Sequence, residues 1–164
     1  MMSAQRSYAG LSYDEVLHKY ADTVAGVCVA RLQNQADAED CFQNTFIKLF
    51  QKSPDFRDEN HLKAWLIRVA INECRDYVDK NRRVISLDAI EREHIISLDD
   101  ERDASWALMR TRPKYREVLY LYYCQRYKVD EIARILGKKP NTVKTLLKRG
   151  REELRRIYGG DANE

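Results

Sequence analysis

The stretch Val129-Asp130-Glu131-Ile132-Ala133-Arg134-Ile135-Leu136-Gly137-Lys138-Lys139-Pro140-Asn141-Thr142-Val143-Lys144-Thr145-Leu146-Leu147-Lys148-Arg149, continued through residues 150–158, decides the fold. Ile132, Ala133 and Leu136 place apolar groups on one face of a short helix. Gly137 follows where a helix stops in a left-handed backbone conformation. Pro140 suits the first turn of the next helix, because its missing N–H would have no intrahelical partner there. Val143, Leu146, Leu147, Leu154 and Ile157 then recur at helical spacing. Small Ala133 lets the helices cross closely and Val143 supplies the apolar plug, the packing of a helix-turn-helix. The opposite face of the second helix carries Asn141, Lys144, Thr145, Lys148, Arg151 and Arg155, turned toward a phosphate backbone.

Charge sharpens this reading. Residues 104–158 hold 15 Lys+Arg against 5 Asp+Glu, a balance of +10, whereas residues 11–83 hold 11 against 12, a balance of −1. The whole-chain net charge of +3 hides the asymmetry. A charge run alone is most often a solvated face; joined to helix-turn-helix spacing it points to nucleic acid.

A chain of 164 residues with 44% hydrophobic content can bury one ordinary core or two small ones, and the charge asymmetry favours two. Three prolines, six glycines and no alternating apolar run predict an all-α fold. No segment approaches 18 consecutive apolar residues and no basic-then-apolar leader opens the chain, so the expectation is a soluble cytoplasmic protein without membrane insertion. Cys28, Cys41, Cys74 and Cys124 show no CxxC pair and are expected to be reduced and buried. His18, His61 and His94 lack HxxxH or HExxH spacing. With no Gly-rich phosphate loop or nucleophile elbow, the sequence offers no catalytic residues, no metal site and no cofactor site, and does not read as an enzyme.

In the front half, Ser12 and Glu15 form a capping box for a helix running to about Leu32, with Val16, Tyr20, Val24, Val27 and Cys28 inward. A second helix is expected from near Asp37 to Ser53-Pro54, with Phe42, Phe46, Ile47 and Phe50 on its core side. A third spans about residues 61–82, with Leu62, Leu66, Val69, Ala70 and Tyr77 inward and Arg68, Asn72 and Arg75 on the opposite face. Residues 84–103 hold seven acidic residues against Arg92 and Arg102, a linker by composition. It repeats Ser86-Leu87-Asp88 as Ser97-Leu98-Asp99, a weak cap signal.

Asp37-Ala38-Glu39-Asp40-Cys41-Phe42-Gln43-Asn44-Thr45-Phe46, then Phe56-Arg57, Ala64-Trp65-Leu66-Ile67-Arg68-Val69-Ala70-Ile71-Asn72 and residues 76–83 resemble the second conserved region of bacterial RNA polymerase sigma factors of the extracytoplasmic-function group. Pro113-Lys114-Tyr115-Arg116-Glu117-Val118-Leu119 and Asp130-Glu131-Ile132-Ala133 through Arg149 are similar to that group's fourth region. The resemblance spans about residues 11–158. It implies a flexible N-terminus (1–10), region two (11–83), the linker (84–103), region four (104–158) and a flexible tail (159–164).

The resemblance also implies roles. Asp40, Gln43 and Asn44 would meet the clamp helices of the polymerase β′ subunit, and region four would meet the flap of the β subunit. Phe56, Asn60, Trp65 and Asn72 would capture a base flipped from the minus-ten element, while Arg68, Arg75, Arg82 and Arg83 hold phosphates of the melting duplex. Thr142, Lys144, Thr145, Lys148 and Arg149 would read the minus-thirty-five element in the major groove, with Arg151 and Arg155 on phosphate. An anti-sigma factor is implied as a further partner. The chain departs from the family pattern at Asn44, where an acidic residue is common, at Leu146, where an arginine is frequent, and at Arg112 and Lys138, where apolar residues are usual. Two other readings fit parts of the same sequence: a free-standing helix-turn-helix repressor with a dimerising front half, and a helical interaction module whose basic tail is only surface.

Overall fold

The computed structural model describes residues 6–81 and 104–160. Arg82, Arg83, the acidic stretch with its two Ser-Leu-Asp repeats, and both chain ends lie outside the described residues. Among those described, seven α-helices follow one another: α1 (Tyr13–Leu32), α2 (Gln35–Lys52), α3 (Glu59–Asn81), α4 (Ala104–Arg110), α5 (Pro113–Leu119), α6 (Val129–Leu136) and α7 (Pro140–Gly160). A single π-helical turn, Tyr120–Cys124, extends α5. The fold is all-α, with α1–α3 and α4–α7 as two helical domains.

Local chemistry accounts for the helix boundaries. The Ser12 hydroxyl accepts from the Glu15 N–H at 3.2 Å, and the Ser12 N–H donates to Glu15 Oε2 at 2.7 Å, so the capping box forms. The cap of α2 is Asn34, whose side chain accepts from the Asp37 N–H at 3.1 Å; this starts α2 two residues before Asp37, whose carboxylate sits in the first turn. Asp58 does the same for α3, accepting from the His61 N–H at 2.8 Å. The last described residue of α3 is Asn81, so of the expected 61–82 span the start moves earlier by two residues.

Val16, Val24, Val27, Cys28, Leu62, Leu66 and Ala70 interlock in the front core as their spacing predicts. Ile47 and Phe50, expected on the core side of α2, are 48% and 65% exposed. The reason is angular: Cys41, Thr45, Phe46 and Leu49 already fill the face toward α1 and α3, which leaves the neighbouring stripe outside. The expected flexible N-terminus is also corrected in part. Tyr8 and Leu11 pair across a two-residue turn in which Ala9 and Gly10 both have positive φ, Tyr8 is buried, and Arg6 donates to the carbonyls of Phe50 and Ser53 at the end of α2. Residues 159 and 160, assigned to a tail, complete α7.

The two domains meet along a seam, and their buried side chains form one continuous cluster. Arg116 of α5 is fully buried; its guanidinium donates to the carbonyl of Ala30 near the end of α1 and to those of Met109 (2.9 Å) and Thr111 (3.1 Å). Burial pulls the Arg116 pKa down to about 10, with the neighbouring Arg31 cation adding to the effect. Arg31 reaches the buried Glu117 at 3.4 Å, and burial pushes that carboxyl above the usual range against the pull of Arg31. Tyr120 donates to the carbonyl of Thr23, and Gln33 donates to that of Met109. Gly26 of α1 completes the fit, since a Cβ there would lie 2.6 Å from Cζ of Tyr120.

Cys28, Cys41 and Cys74 are buried, but Cys124 is exposed at the π-turn and corrects the expectation for all four. The pKa of the Cys41 thiol is pushed up to about 12, by burial first and then by neighbouring Cys74. One alkylation adduct, on Cys124, is therefore expected on the folded protein at neutral pH and four after denaturation, which intact mass will count. Removing Arg31 should take the ion-pair partner from buried Glu117 and leave only the pull of Arg75 and Lys138; Arg31→Ala is expected to cost about 1.5–3 kcal/mol in urea titration at neutral pH. Because the folded-state pKa of Glu117 is raised, the loss should be smallest below its unfolded pKa and grow as pH rises through the folded value.

Candidate nucleic-acid interface

The helix-turn-helix forms as its spacing demands. Ile132, Ala133 and Leu136 of α6 bury against Val143 and Leu147 of α7, and α5 backs them with Tyr115, Val118 and Leu119. Gly137 sits at φ +64°, in the left-handed region, and its N–H closes the end of α6 on the carbonyl of Arg134 at 3.4 Å. Lys138 stays exposed. Pro140 opens α7, whose other face presents Asn141, Thr142, Lys144, Thr145, Lys148, Arg149 and Arg155, all exposed. Arg156 joins that face, a position the sequence reading passed over.

Two of the candidate residues on α7 are already engaged. The Thr145 hydroxyl donates to the carbonyl of Asn141 at 3.0 Å, so its hydrogen is committed within the helix. Arg151 donates from Nε to the Tyr123 hydroxyl at 2.7 Å and lies over the Tyr122 and Tyr123 rings at 5.6 and 5.8 Å. The π-turn that carries both tyrosines thus fixes Arg151 beside the helix rather than on its outermost line. Arg112, the departure before Pro113, donates its N–H to Glu153 Oε1 at 3.2 Å, which ties the start of α5 to α7.

In the front domain the candidates divide between two faces. Asp40, Gln43 and Asn44 are exposed along α2, and Ile47 and Phe50 continue the same stripe as an apolar extension. The second face is the 53–58 loop with the start of α3. There Phe56 packs edge-on against Trp65 at 5.5 Å and His61 at 5.3 Å between ring centroids. Phe56 and Trp65 are half-buried, while Asn60 and Asn72 are exposed and Arg75 half-buried.

That second face looks across at the back domain. A cleft of about 650 Å³ is lined by Asn60, His61, Lys63, Trp65 and Arg68 on one side and by Gln125, Tyr127 and Arg134 on the other. Arg68, assigned to phosphate, spans it: its Nη2 donates to the carbonyl of Arg134 at 2.7 Å and its Nε to that of Ile135 at 3.3 Å, at the C-terminal end of α6. Lys63 lies over the Tyr127 ring at 5.2 Å, and burial lowers its pKa. Burial and nearby Glu131 push that of Tyr127 up to about 12.

A basic helix-turn-helix packed against a three-helix domain with an aromatic, asparagine-bearing cleft defines a nucleic-acid-binding protein class. Residues 16–84 match the model of Sigma-70 region 2 and residues 112–154 that of Sigma-70, region 4. The chain belongs to the sigma-70 family of RNA polymerase sigma factors, in its extracytoplasmic-function group. It is 27% identical to the ECF RNA polymerase sigma factor SigW of Bacillus subtilis, over 88% of this chain and 88% of that protein. It is 25% identical to the RNA polymerase sigma factor CarQ of Myxococcus xanthus, over 96% and 95%. Among solved structures, the fold resembles the sigma factor RpoE of Bartonella quintana, crystallised with the anti-sigma factor NepR, with a TM-score of 0.71, 22% identity and coverage of 88% of this chain and 95% of that one.

Because Gly137 holds a left-handed backbone with open space where a Cβ would stand, Gly137→Ala should cost about 1–2 kcal/mol from backbone strain alone. Gly137→Asn should cost less, and thermal melts of the two variants will order them.

Proposed function

We propose that this chain associates with core RNA polymerase and directs it to promoters whose two elements are read by its two domains. Sigma factors carry out no covalent chemistry; they position the polymerase and hold opened DNA. The observation that carries the reading is the ordered pair of region 2 and region 4 matches over residues 16–84 and 112–154, with a basic outward face on α7. Both matches favour this reading over a self-dimerising repressor.

In this reading Asp40, Gln43 and Asn44 dock on the β′ clamp helices, and exposed Ile47 and Phe50 lengthen the same contact; region four meets the β flap. Phe56 and Trp65 wall the space for a flipped base, Asn60 and Asn72 offer edge-reading groups, and Arg75, Arg82 and Arg83 hold phosphate, with Arg68 available once it leaves α6. Thr142, Lys144, Lys148 and Arg149 reach base edges of the minus-thirty-five element, with Thr145 contributing its oxygen as acceptor, and Arg151 and Arg155 flank on phosphate. An anti-sigma factor is a further partner, in line with the complexes of RpoE with NepR and of CnrH with the cytosolic domain of CnrY. Among the described residues no helix is long and apolar enough to cross a membrane.

Core polymerase plus this protein should yield promoter-specific transcripts from DNA of the source genome, and none above the core-only background overturns the proposal. Lys148→Ala should weaken duplex binding by roughly 1–3 kcal/mol with relaxed preference at one base pair if it reads a base edge. A uniform loss with a shallower salt dependence would move it to phosphate.

A further inference from the structure

We infer that residues 6–13 form a brace that makes Phe50 a rigid anchor for core RNA polymerase, and that the cleft beside it receives an apolar side chain from a helix of that enzyme. The inference rests on the polymerase-binding role proposed above for α2, and extends it to a segment ahead of residue 16, where the region 2 match begins. Three observations carry it.

The first is a side chain that is exposed and yet held. Phe50 is 65% exposed, more than any other large apolar residue among those described. Tyr13 meets its ring edge-on at 5.8 Å. Tyr13 is itself tied down: its hydroxyl donates to the Phe46 carbonyl at 3.0 Å, and its ring packs against buried Tyr8 at 6.1 Å. An aromatic group held in place before the partner arrives loses less conformational freedom on binding.

The second is the construction of the chain start. Tyr8 and Leu11 exchange backbone hydrogen bonds at 2.8 and 3.0 Å across Ala9 and Gly10, and Ala9 stands at φ +53°, a left-handed conformation that a side chain resists. Arg6 lies over the Tyr8 ring at 5.4 Å and donates to the carbonyls of Phe50 and Ser53. Helix α1 needs none of this to begin, since the Ser12 box already caps it. The turn instead grips the end of α2 by its backbone and by the Tyr8–Tyr13–Phe50 ladder.

The third is the receiving surface. Arg6, Tyr8, Tyr13, Asp14, Ile47 and Phe50 line a cleft of about 660 Å³. Ile47 and Phe50 join it to the stripe of Asp40, Gln43 and Asn44, because these five positions share one face of α2. A single helix laid along that stripe spans its polar and its apolar half. The Arg6 guanidinium is engaged by carbonyls and Lys48 by Glu73, so exposed Asp14 and Asp40 set the charge at the two ends. The complement is a polymerase helix with basic residues on either side of an apolar one.

The test measures affinity of the full chain for core RNA polymerase by biolayer interferometry. Wild type is compared with Arg6→Ala, Tyr13→Leu and Phe50→Ala, with each brace change combined with Phe50→Ala, and with Tyr13→Phe, which keeps the ring and loses the hydroxyl. Phe50→Ala should weaken binding at least about tenfold. Each brace variant should lose roughly three- to tenfold while Phe50 is present and no more than about twofold further once it is gone, since both act through one side chain. Tyr13→Phe should fall between wild type and Tyr13→Leu. Helical circular dichroism should be retained, and Arg6 is exposed, so its variant decides the matter even where Tyr13→Leu fails to fold. Brace variants that bind as tightly as wild type overturn the inference, as do losses that simply add to that of Phe50→Ala. Wild type that does not bind core polymerase overturns the polymerase-binding reading itself, and the inference with it.

Discussion

Carbonyls at helix C-terminal ends, most of them without an intrahelical partner, are the demand around which this molecule is assembled, and arginines from elsewhere in the chain meet it repeatedly. Arg6 closes α2, Arg68 closes α6, and Arg116 serves both α1 and α4. A cation at a helix C-terminus satisfies orphan acceptors and complements the helix dipole at once. Because the donors lie 44 to 86 residues from the carbonyls of α1, α2 and α6, each contact also fixes long-range placement. The domains are thus joined by backbone-directed charge as well as by apolar burial.

This construction separates what holds each domain from what holds the pair. Inside the domains, tightly interlocked aliphatic side chains such as Leu62, Leu66, Val143 and Leu147 resist any change of volume. Across the seam the polar contacts are made by tyrosine, arginine and glutamate, two of whose polar atoms have no hydrogen-bond partner among the described residues. The apolar cluster runs on across the seam, so these polar contacts direct how the two domains fit rather than replace the burial that joins them.

Much of this was legible in the sequence because short-range rules governed it. The Ser12–Glu15 box, the Gly137 turn, Pro140 and the α6–α7 core all follow from periodicity and capping, which act over a few residues. The α2 stripe was misjudged because Ile47 and Phe50 fit an apolar helical face as well as Leu49 does; only the placement of α1 and α3 decides which of them is covered. Cys124 was misplaced because its π-turn surroundings change the facing that an ordinary helix would give it. The arginines were the least legible. In sequence Arg68 and Arg116 are two cations among many, and nothing local says that one spans a cleft and the other is fully buried. Gly26 was silent for the same reason, since its partner lies 94 residues away.

Arg68 has one guanidinium and, under the proposed promoter-reading role, two claimants, the end of α6 and a DNA phosphate. A substitution there would shift two equilibria of opposite sign, loosening the closed chain while loosening the grip on opened DNA. The net output of such a protein could look almost untouched although both component affinities had moved. Natural variation at this position would then be tolerated through compensation, and a transcription assay alone would score a doubly committed residue as dispensable.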